Sequence, residues 1–169
     1  MYCHNMKSDP VEYLTINPEN NVAHYDSRRY KNTTECGGEF NQNYSSYSAG
    51  HAVFSKVRIM LDLLQIAQND YTFSTTTSGL RIPYAWAADC HGTGACPLGY
   101  FKVDLTGTCA RVRPDQVWWS WGHPGRTMEL EFNPERTVVT GRCGGSCGGC
   151  HPGIGQSFGV HVEPTEHCQ

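Results

Sequence analysis

The sequence predicts a mainly β protein, a compact antiparallel sandwich or barrel-like sheet of many short strands that is stabilised by disulfides. Short alternating segments recur between Gly and Pro residues, and no segment forms a convincing amphipathic helix. The 169 residues also include nine cysteines. So many cysteines are unusual in a cytosolic domain, where thiols stay reduced, so we expect an oxidising compartment. We treat residues 1–169 as a single domain.

Alternating apolar and polar residues place the strands along the chain. They predict strands over residues 11–16, 71–77, 100–105, 128–132, 137–140 and 159–163. Asn17-Pro18 ends the first of these strands and Asn133-Pro134 ends the fourth, because both pairs favour turns. Residues 20–50 are polar and predict a long irregular connection.

The strongest apolar segment covers residues 54–66, and its periodicity fits two structures. A strand would place on one face Val57, Ile59, Leu61 and Leu63. A helix would align instead Phe54, Val57, Leu61 and Leu64. Periodicity alone leaves the choice open, and the β-branched residues inside the segment favour the strand.

Charge and chain ends exclude several classes of protein. The net charge is −3 and the 13 Lys and Arg residues are scattered, so no nucleic-acid surface is expected. No apolar run approaches the roughly 20 residues of a membrane span. The first ten residues lack the basic start and apolar stretch of a signal peptide, and we expect a fragment of a longer protein. Glycosylation sequons at Asn32 and Asn43 favour an extracellular or secretory-pathway protein.

Three cysteines, Cys143, Cys147 and Cys150, lie among glycines just before His151. Their spacing resembles an iron–sulfur site of radical S-adenosylmethionine enzymes, but such a site needs a reducing compartment and lies early on a strand–helix barrel. Zinc held by three thiolates and His151 or another cysteine is one alternative, and disulfides are the other. The cysteine count and the sequons favour disulfides, and no metal is expected in this segment.

An odd triplet of cysteines must send one sulfur to a partner elsewhere in the chain. Cys90 and Cys96 bracket a short Gly-containing segment and predict a second small disulfide loop. No catalytic residues are predicted. The sequence contains no His-Glu-x-x-His motif of zinc proteases, and no serine lies in the strand-to-helix elbow that a Gly-x-Ser-x-Gly sequence forms in hydrolases.

One segment is a candidate ligand surface, with three tryptophans at Trp118, Trp119 and Trp121 that follow Arg111 and Arg113. Trp119 and Trp121 share one strand face, so Trp118 points the other way. Tryptophans at these positions either fill the core or present an exposed indole, and an indole near arginines suits a sugar ring or a partner's surface.

Several motifs resemble a known family. They are Tyr2-Cys3-His4-Asn5-Met6, Pro10–Thr15, Phe54–Ile59, Pro83-Tyr84-Ala85 with Asp89-Cys90, Cys96–Gly99, Asp104–Thr108 and Val138–Cys150. Together they resemble the GON domain, the C-terminal module of some ADAMTS enzymes, which are secreted zinc metalloproteases with thrombospondin repeats. The resemblance covers nearly the whole chain in order.

The resemblance implies an extracellular, disulfide-bonded, non-catalytic interaction module of a protein associated with extracellular matrix turnover. It places protease activity and zinc in a separate upstream domain. The expected partner is a protein or glycan of the matrix or secretory pathway. Two alternatives stay open: a stand-alone glycan- or matrix-binding domain that acts through residues 118–121, and a domain stabilised by zinc at the cysteine triplet.

Departures from the family pattern concern the remaining cysteines. A first strand and a first cysteine are missing before Tyr2, and the polar connection keeps only Cys36. Cys109 and Cys168 are additional to the pattern, which implies that they pair with each other. Cys3 then either pairs with Cys36 or needs the missing segment.

Overall fold

In the computed structural model, the chain forms two β-sheets that share one core. The structure describes residues 1–28, 31, 39–40, 49–90, 96–122, 127–145, 147–153 and 157–162. Their strands are β1 (Tyr2–His4), β2 (Val11–Thr15), β3 (Val22–Asp26), β4 (Gly50–Phe54), β5 (Lys56–Met60), β6 (Gln65–Ala67), β7 (Ser74–Gly79), β8 (Ala87–Asp89), β9 (Gly99–Asp104), β10 (Ala110–Val112), β11 (Trp118–Trp121), β12 (Thr127–Phe132), β13 (Val138–Gly144), β14 (Gly148–Pro152) and β15 (Ser157–Val162). A 3₁₀ helix, Pro18–Asn20, follows β2.

The first sheet has six strands in the order β1-β2-β5-β6-β15-β10. The second has the order β11-β14-β8-β3-β9-β13-β12, and β4 and β7 extend it from β3. Neighbouring strands in the described part of the chain pair antiparallel, except that β3 and β8 run parallel. The prediction of a mainly β, disulfide-stabilised fold is therefore confirmed.

Buried side chains from both sheets form one hydrophobic cluster. The six-stranded sheet contributes Ile59, Ile66 and Phe158, and the nine-stranded sheet contributes Phe54 and Phe101, all at most 1% exposed. Tyr84 joins the two groups, because its ring lies 5.0 Å from Phe54 and 6.2 Å from Phe158 between centroids. Burial of these rings is the main force that holds the two sheets together.

The segment 54–66 is not one continuous strand. The alternation holds for Val57 and Ile59, each 1% exposed, but the chain reverses after Met60. Leu61 and Leu63 lie in the turn and are 40% and 57% exposed, so their predicted place on the buried face is wrong. Leu64 closes the turn with a φ of 50°.

The polar connection predicted over residues 20–50 contains a strand at its start. β3 pairs with β4, β8 and β9, and it therefore lies inside the nine-stranded sheet. Its pattern is hard to recognise because the polar residues His24 and Asp26 occur in a strand that is paired with other strands along both edges. The prediction of an irregular segment is wrong for these residues.

Candidate functional site

Disulfides fix the ends of β13, β14 and β8 to one another. Cys143 pairs with Cys150, and Cys147 pairs with Cys90. β8 and β14 run antiparallel with Gly148 opposite Asp89, which places Cys147 beside Cys90. The Cys147 amide also donates to the Cys90 carbonyl (3.3 Å). The predicted Cys90–Cys96 loop is wrong, because strand pairing gives Cys90 a distant partner.

The remaining cysteines fall into three groups. Cys96 and Cys109 are also disulfide-bonded. Cys3 is an exposed free thiol, so a Cys3–Cys36 bond is not formed. Cys36 and Cys168 lie outside the described residues, and so do the sequons at Asn32 and Asn43. The Cys109–Cys168 pair and the two glycosylation sites therefore stay predictions.

The zinc alternative needs thiolates and an imidazole that are free to bind an ion. All three sulfurs of the triplet are in disulfides. His151 Nδ1 lies 2.9 Å from the Pro152 carbonyl, which can only accept, so this nitrogen is the protonated donor. Over the described ranges, no group of three or more His, Cys, Asp or Glu side chains is arranged to hold a metal. The three sulfurs named as zinc ligands are therefore committed to disulfides.

The fully buried carboxylate of Asp89 holds the same region in place by hydrogen bonds to backbone amides. The Leu98 amide donates to its Oδ2 (2.7 Å) and the Gly145 amide donates to its Oδ1 (3.0 Å). A Cβ on Gly144 would collide with Oδ2, and Gly144 has a φ of 157°. The carboxylate thus fixes the backbone that leads into β14.

Trp118 is a core residue. Its indole stacks on Phe101 with centroids 5.3 Å apart and planes 2° apart, and it contacts Phe158 at 5.9 Å and Phe132 at 6.3 Å. Its Nε1 is buried and has no hydrogen-bond partner. Trp118 therefore supports the structure rather than presenting a surface.

Trp119 and Trp121 point away from that core, on the opposite face of β11. Trp119 lies opposite His151 in the strand register and is 47% exposed. Trp121 lies 5.3 Å from Trp86 and 5.6 Å from His151, whose ring stacks on Trp86 at 4.6 Å and 9°. We call Trp86, Trp119, Trp121 and His151 the aromatic face.

A glycine makes room for the aromatic face. Gly149 lies opposite Trp121 in the register of β11 and β14, and a Cβ on Gly149 would collide with the six-membered ring of Trp121. The indole can therefore lie flat across β14. The sequence pattern did not indicate Trp86 or show His151 as an aromatic partner, because Trp86 reaches this face through the pairing of β8 with β14 and His151 through the pairing of β14 with β11.

A cavity of about 200 Å³ opens beside the aromatic face. Trp86 and Trp121 form one wall, and the rest is mostly apolar, with Leu80, Ile82 and Pro83. Trp86 Nε1 is buried without a hydrogen-bond partner. Large aromatic rings beside an apolar cavity suit recognition of a flat or apolar group.

Arg111 and Arg113 lie elsewhere. Arg113 forms an exposed ion pair with Asp115 (2.6 Å) and lines a cavity of about 330 Å³. Arg111 lines another cavity, of about 320 Å³. None of the three tryptophans is among the described residues that line these two cavities. The structure thus separates the predicted Trp and Arg surface into distinct places.

Fold and site together define a disulfide-bonded, all-β module with an exposed aromatic surface. The chain belongs to the GON domain family, whose model matches residues 1–162. It is 33% identical to mouse (Mus musculus) "A disintegrin and metalloproteinase with thrombospondin motifs 20" over 96% of this chain. It is 34% identical to the gon-1 protein of that class from Caenorhabditis elegans over 90% of this chain.

The match covers only a small part of these relatives, because the chain spans 9% of the mouse protein and 7% of the nematode protein. The GON domain is a non-catalytic region of ADAMTS proteins, so this segment is not itself a protease. No solved structure shows significant similarity. Among the described residues, no helix is both long and apolar enough to pass through a bilayer.

Proposed function

We propose that this GON domain is an extracellular interaction module of an ADAMTS-type metalloprotease and that it binds a matrix protein or glycan during matrix turnover. Zinc and proteolysis belong to the catalytic domain of such proteins, and this domain contributes binding. The observation that carries the proposal is the aromatic face, where Trp119 is 47% exposed on the edge strand β11, whose neighbour β14 is linked to β13 by the Cys143–Cys150 disulfide. Rigid exposed indoles are common anchors in binding surfaces.

The geometry sets the size of the expected effect. A tryptophan side chain carries up to about 250 Å² of surface, so the exposed half of Trp119 offers roughly 100 Å² for burial. At about 25 cal/mol per Å², covering that area contributes about 2.5 kcal/mol, which is a factor of roughly 50–100 in affinity. Trp121 and His151 hold the surface around it in place and limit the entropy lost on binding.

Binding of the purified chain to decellularised extracellular matrix tests the proposal. We expect saturable binding by the wild type and a loss of most of it in Trp119→Ala. Leu63→Ala is the matched control, because it removes a large side chain that is 57% exposed in the turn between β5 and β6, away from the aromatic face. Pretreating the matrix with glycosidases or with a protease distinguishes a glycan from a protein partner.

Two results would contradict this function. If the wild-type protein binds matrix no more strongly than an unrelated disulfide-bonded domain does, the proposed interaction role is refuted. Equal binding by Trp119→Ala, Leu63→Ala and the wild type would show that the aromatic face takes no part in matrix binding. Circular dichroism of each variant checks that the fold is retained.

A further inference from the structure

A second surface combines fixed positive charge with a cavity, and it begins at Arg136. This residue lies in the turn between β12 and β13, where its amide donates to the Asn133 carbonyl (3.0 Å). Its φ is 55°, a left-handed conformation that costs a non-glycine residue roughly 1–2 kcal/mol. Glycine or asparagine would adopt that turn with less strain, so the arginine side chain must contribute something in return.

The Arg136 guanidinium is held rigidly. Nε donates to the Val112 carbonyl (3.0 Å) and Nη2 donates to the Arg113 carbonyl (2.9 Å). The guanidinium also lies over the Phe132 ring, 4.4 Å from its centroid. The two hydrogen bonds use two of the five N–H donors of an arginine, so the charge is positioned before any ligand arrives.

Two more basic side chains share a cavity with Arg136. Arg111 and His161 lie directly opposite each other on β10 and β15. All three line an open cavity of about 320 Å³, and Glu135 is the carboxylate among its described lining residues. Pro114 and Pro134 contribute apolar walls. We call this set the basic cavity.

We propose that the basic cavity binds a sulfated glycan, with a sulfate group against Arg111 and Arg136 and the carbon–hydrogen face of the sugar against the two prolines. Guanidinium groups match tetrahedral oxyanions through paired N–H donors, and these charge-assisted hydrogen bonds are among the strongest in proteins. Among the described lining residues two arginines face one glutamate, which gives the cavity a positive field in a chain whose net charge is −3.

Backbone bonding at β10 favours a glycan over an acidic peptide. β10 is an edge strand, and an extended peptide would need free backbone groups there. The Val112 amide donates to the Arg136 carbonyl (2.8 Å), and the Val112 carbonyl accepts from Arg136 Nε. The edge is therefore closed at Val112, and recognition has to use side chains.

The test measures binding of the full 169-residue chain to immobilised heparin as a function of salt. We expect Arg111→Gln and Arg136→Gln each to weaken binding roughly tenfold, as loss of one charge-assisted hydrogen bond requires. Arg142→Gln is the matched control, because it removes an exposed arginine on β13 and should change affinity less than twofold. Because Arg136 also supports its turn, Arg111→Gln provides an independent measurement.

Any one of the following results would overturn the proposal. Absence of heparin binding by the wild type, or an equal loss in Arg142→Gln, shows that the cavity is not a specific site. Equal affinity for hyaluronan, which carries carboxylates but no sulfate, refutes the sulfate assignment. Tighter binding to poly-glutamate than to heparin identifies an acidic peptide instead. Trp119→Ala should bind heparin normally, so failure of this proposal is distinguishable from failure of the matrix-binding function.

Discussion

The buried carboxylate of Asp89 carries the sharpest stability prediction, and the change is Asp89→Ala. The carboxylate is fully buried and accepts from the amides of Leu98 (2.7 Å) and Gly145 (3.0 Å). The substitution removes both bonds and leaves two backbone donors beside an empty volume. Charge-assisted hydrogen bonds contribute about 1.5–3 kcal/mol each, so loss of the two bonds should lower the free energy of unfolding by about 3–6 kcal/mol.

Urea denaturation of the oxidised chain, followed by tryptophan fluorescence, measures that loss. Typical domains have only about 5–15 kcal/mol of stability, so the midpoint should shift strongly. Asp89→Asn keeps the shape but has one carbonyl oxygen for two donors, and we expect roughly half the loss. Asp115→Ala is the control, because its ion pair with Arg113 is exposed and should contribute no measurable stability.

The reasoning would be refuted by a loss below about 1 kcal/mol in Asp89→Ala with an unchanged denaturant slope. That result would mean that water or a rearranged backbone satisfies both amides without the carboxylate. An Asp89→Asn variant less stable than Asp89→Ala would show instead that the amide NH₂ group clashes with the donors. Either result would distinguish the contribution of the Asp89 hydrogen bonds to stability from the contribution of its packing.

Three further predictions concern the disulfides, the tryptophans and pH. Replacing Cys90 and Cys147 by Ala should lower the free energy of unfolding by about 4 kcal/mol in a urea titration, because the bond spans 57 residues and loop-closure entropy grows with span; a loss near zero would contradict this. Trp118→Ala should lower the free energy of unfolding by about 3–5 kcal/mol and Trp119→Ala by less than about 1 kcal/mol, since only the first indole packs in the core; equal losses would reverse their assignment. Burial, assisted by the neighbouring His51, lowers the pKa of His24 below its usual 6.5. As pH falls below about 6.5 the unfolded chain therefore takes up a proton first, and the folded state loses stability. Thermal melts of His24→Gln should show a weaker loss of stability over that range, and a pH profile identical to that of the wild type would exclude His24 as the source.

Local patterns predicted the strands whose burial alternates and stops at a turn signal. Residues 100–105 alternate and correspond to β9, where Phe101 and Val103 are at most 1% exposed. The reversal after Met60 had no such signal, because residues 61–64 contain neither Gly, Pro nor Asn. Long-range pairing of β6 with β15 fixes that turn, and a local window cannot detect it.

Short buried strands were the other features that the sequence did not reveal. β8 has three residues, Ala87, Ala88 and Asp89, which have weak strand propensity. It forms because β3 and β14 pair with it on either side. The same pairing selects Cys147 as the partner of Cys90 and brings Trp86 to Trp121. Much of the candidate site therefore depends on topology rather than on local spacing.

Tryptophan spacing predicted correctly that Trp118 points away from Trp119 and Trp121, but not which side faces the core. The choice follows from Phe101, Phe132 and Phe158, which surround Trp118 from strands distant in sequence. The predicted grouping with Arg111 and Arg113 failed for the same reason. Those arginines follow or belong to β10 in the six-stranded sheet, whereas the tryptophans belong to the other sheet.

The order of the three clustered cysteines has a consequence for how this domain matures. Cys147 lies four residues after Cys143 and three before Cys150, so both incorrect local pairs close smaller rings than the native bond. Short loops close fastest, and an oxidising chain will form these wrong bonds before β8 reaches β14. Native Cys90–Cys147 and Cys143–Cys150 bonds then require thiol–disulfide exchange. We therefore expect a disulfide isomerase to speed correct maturation of this domain, and material oxidised by air alone to accumulate scrambled isomers.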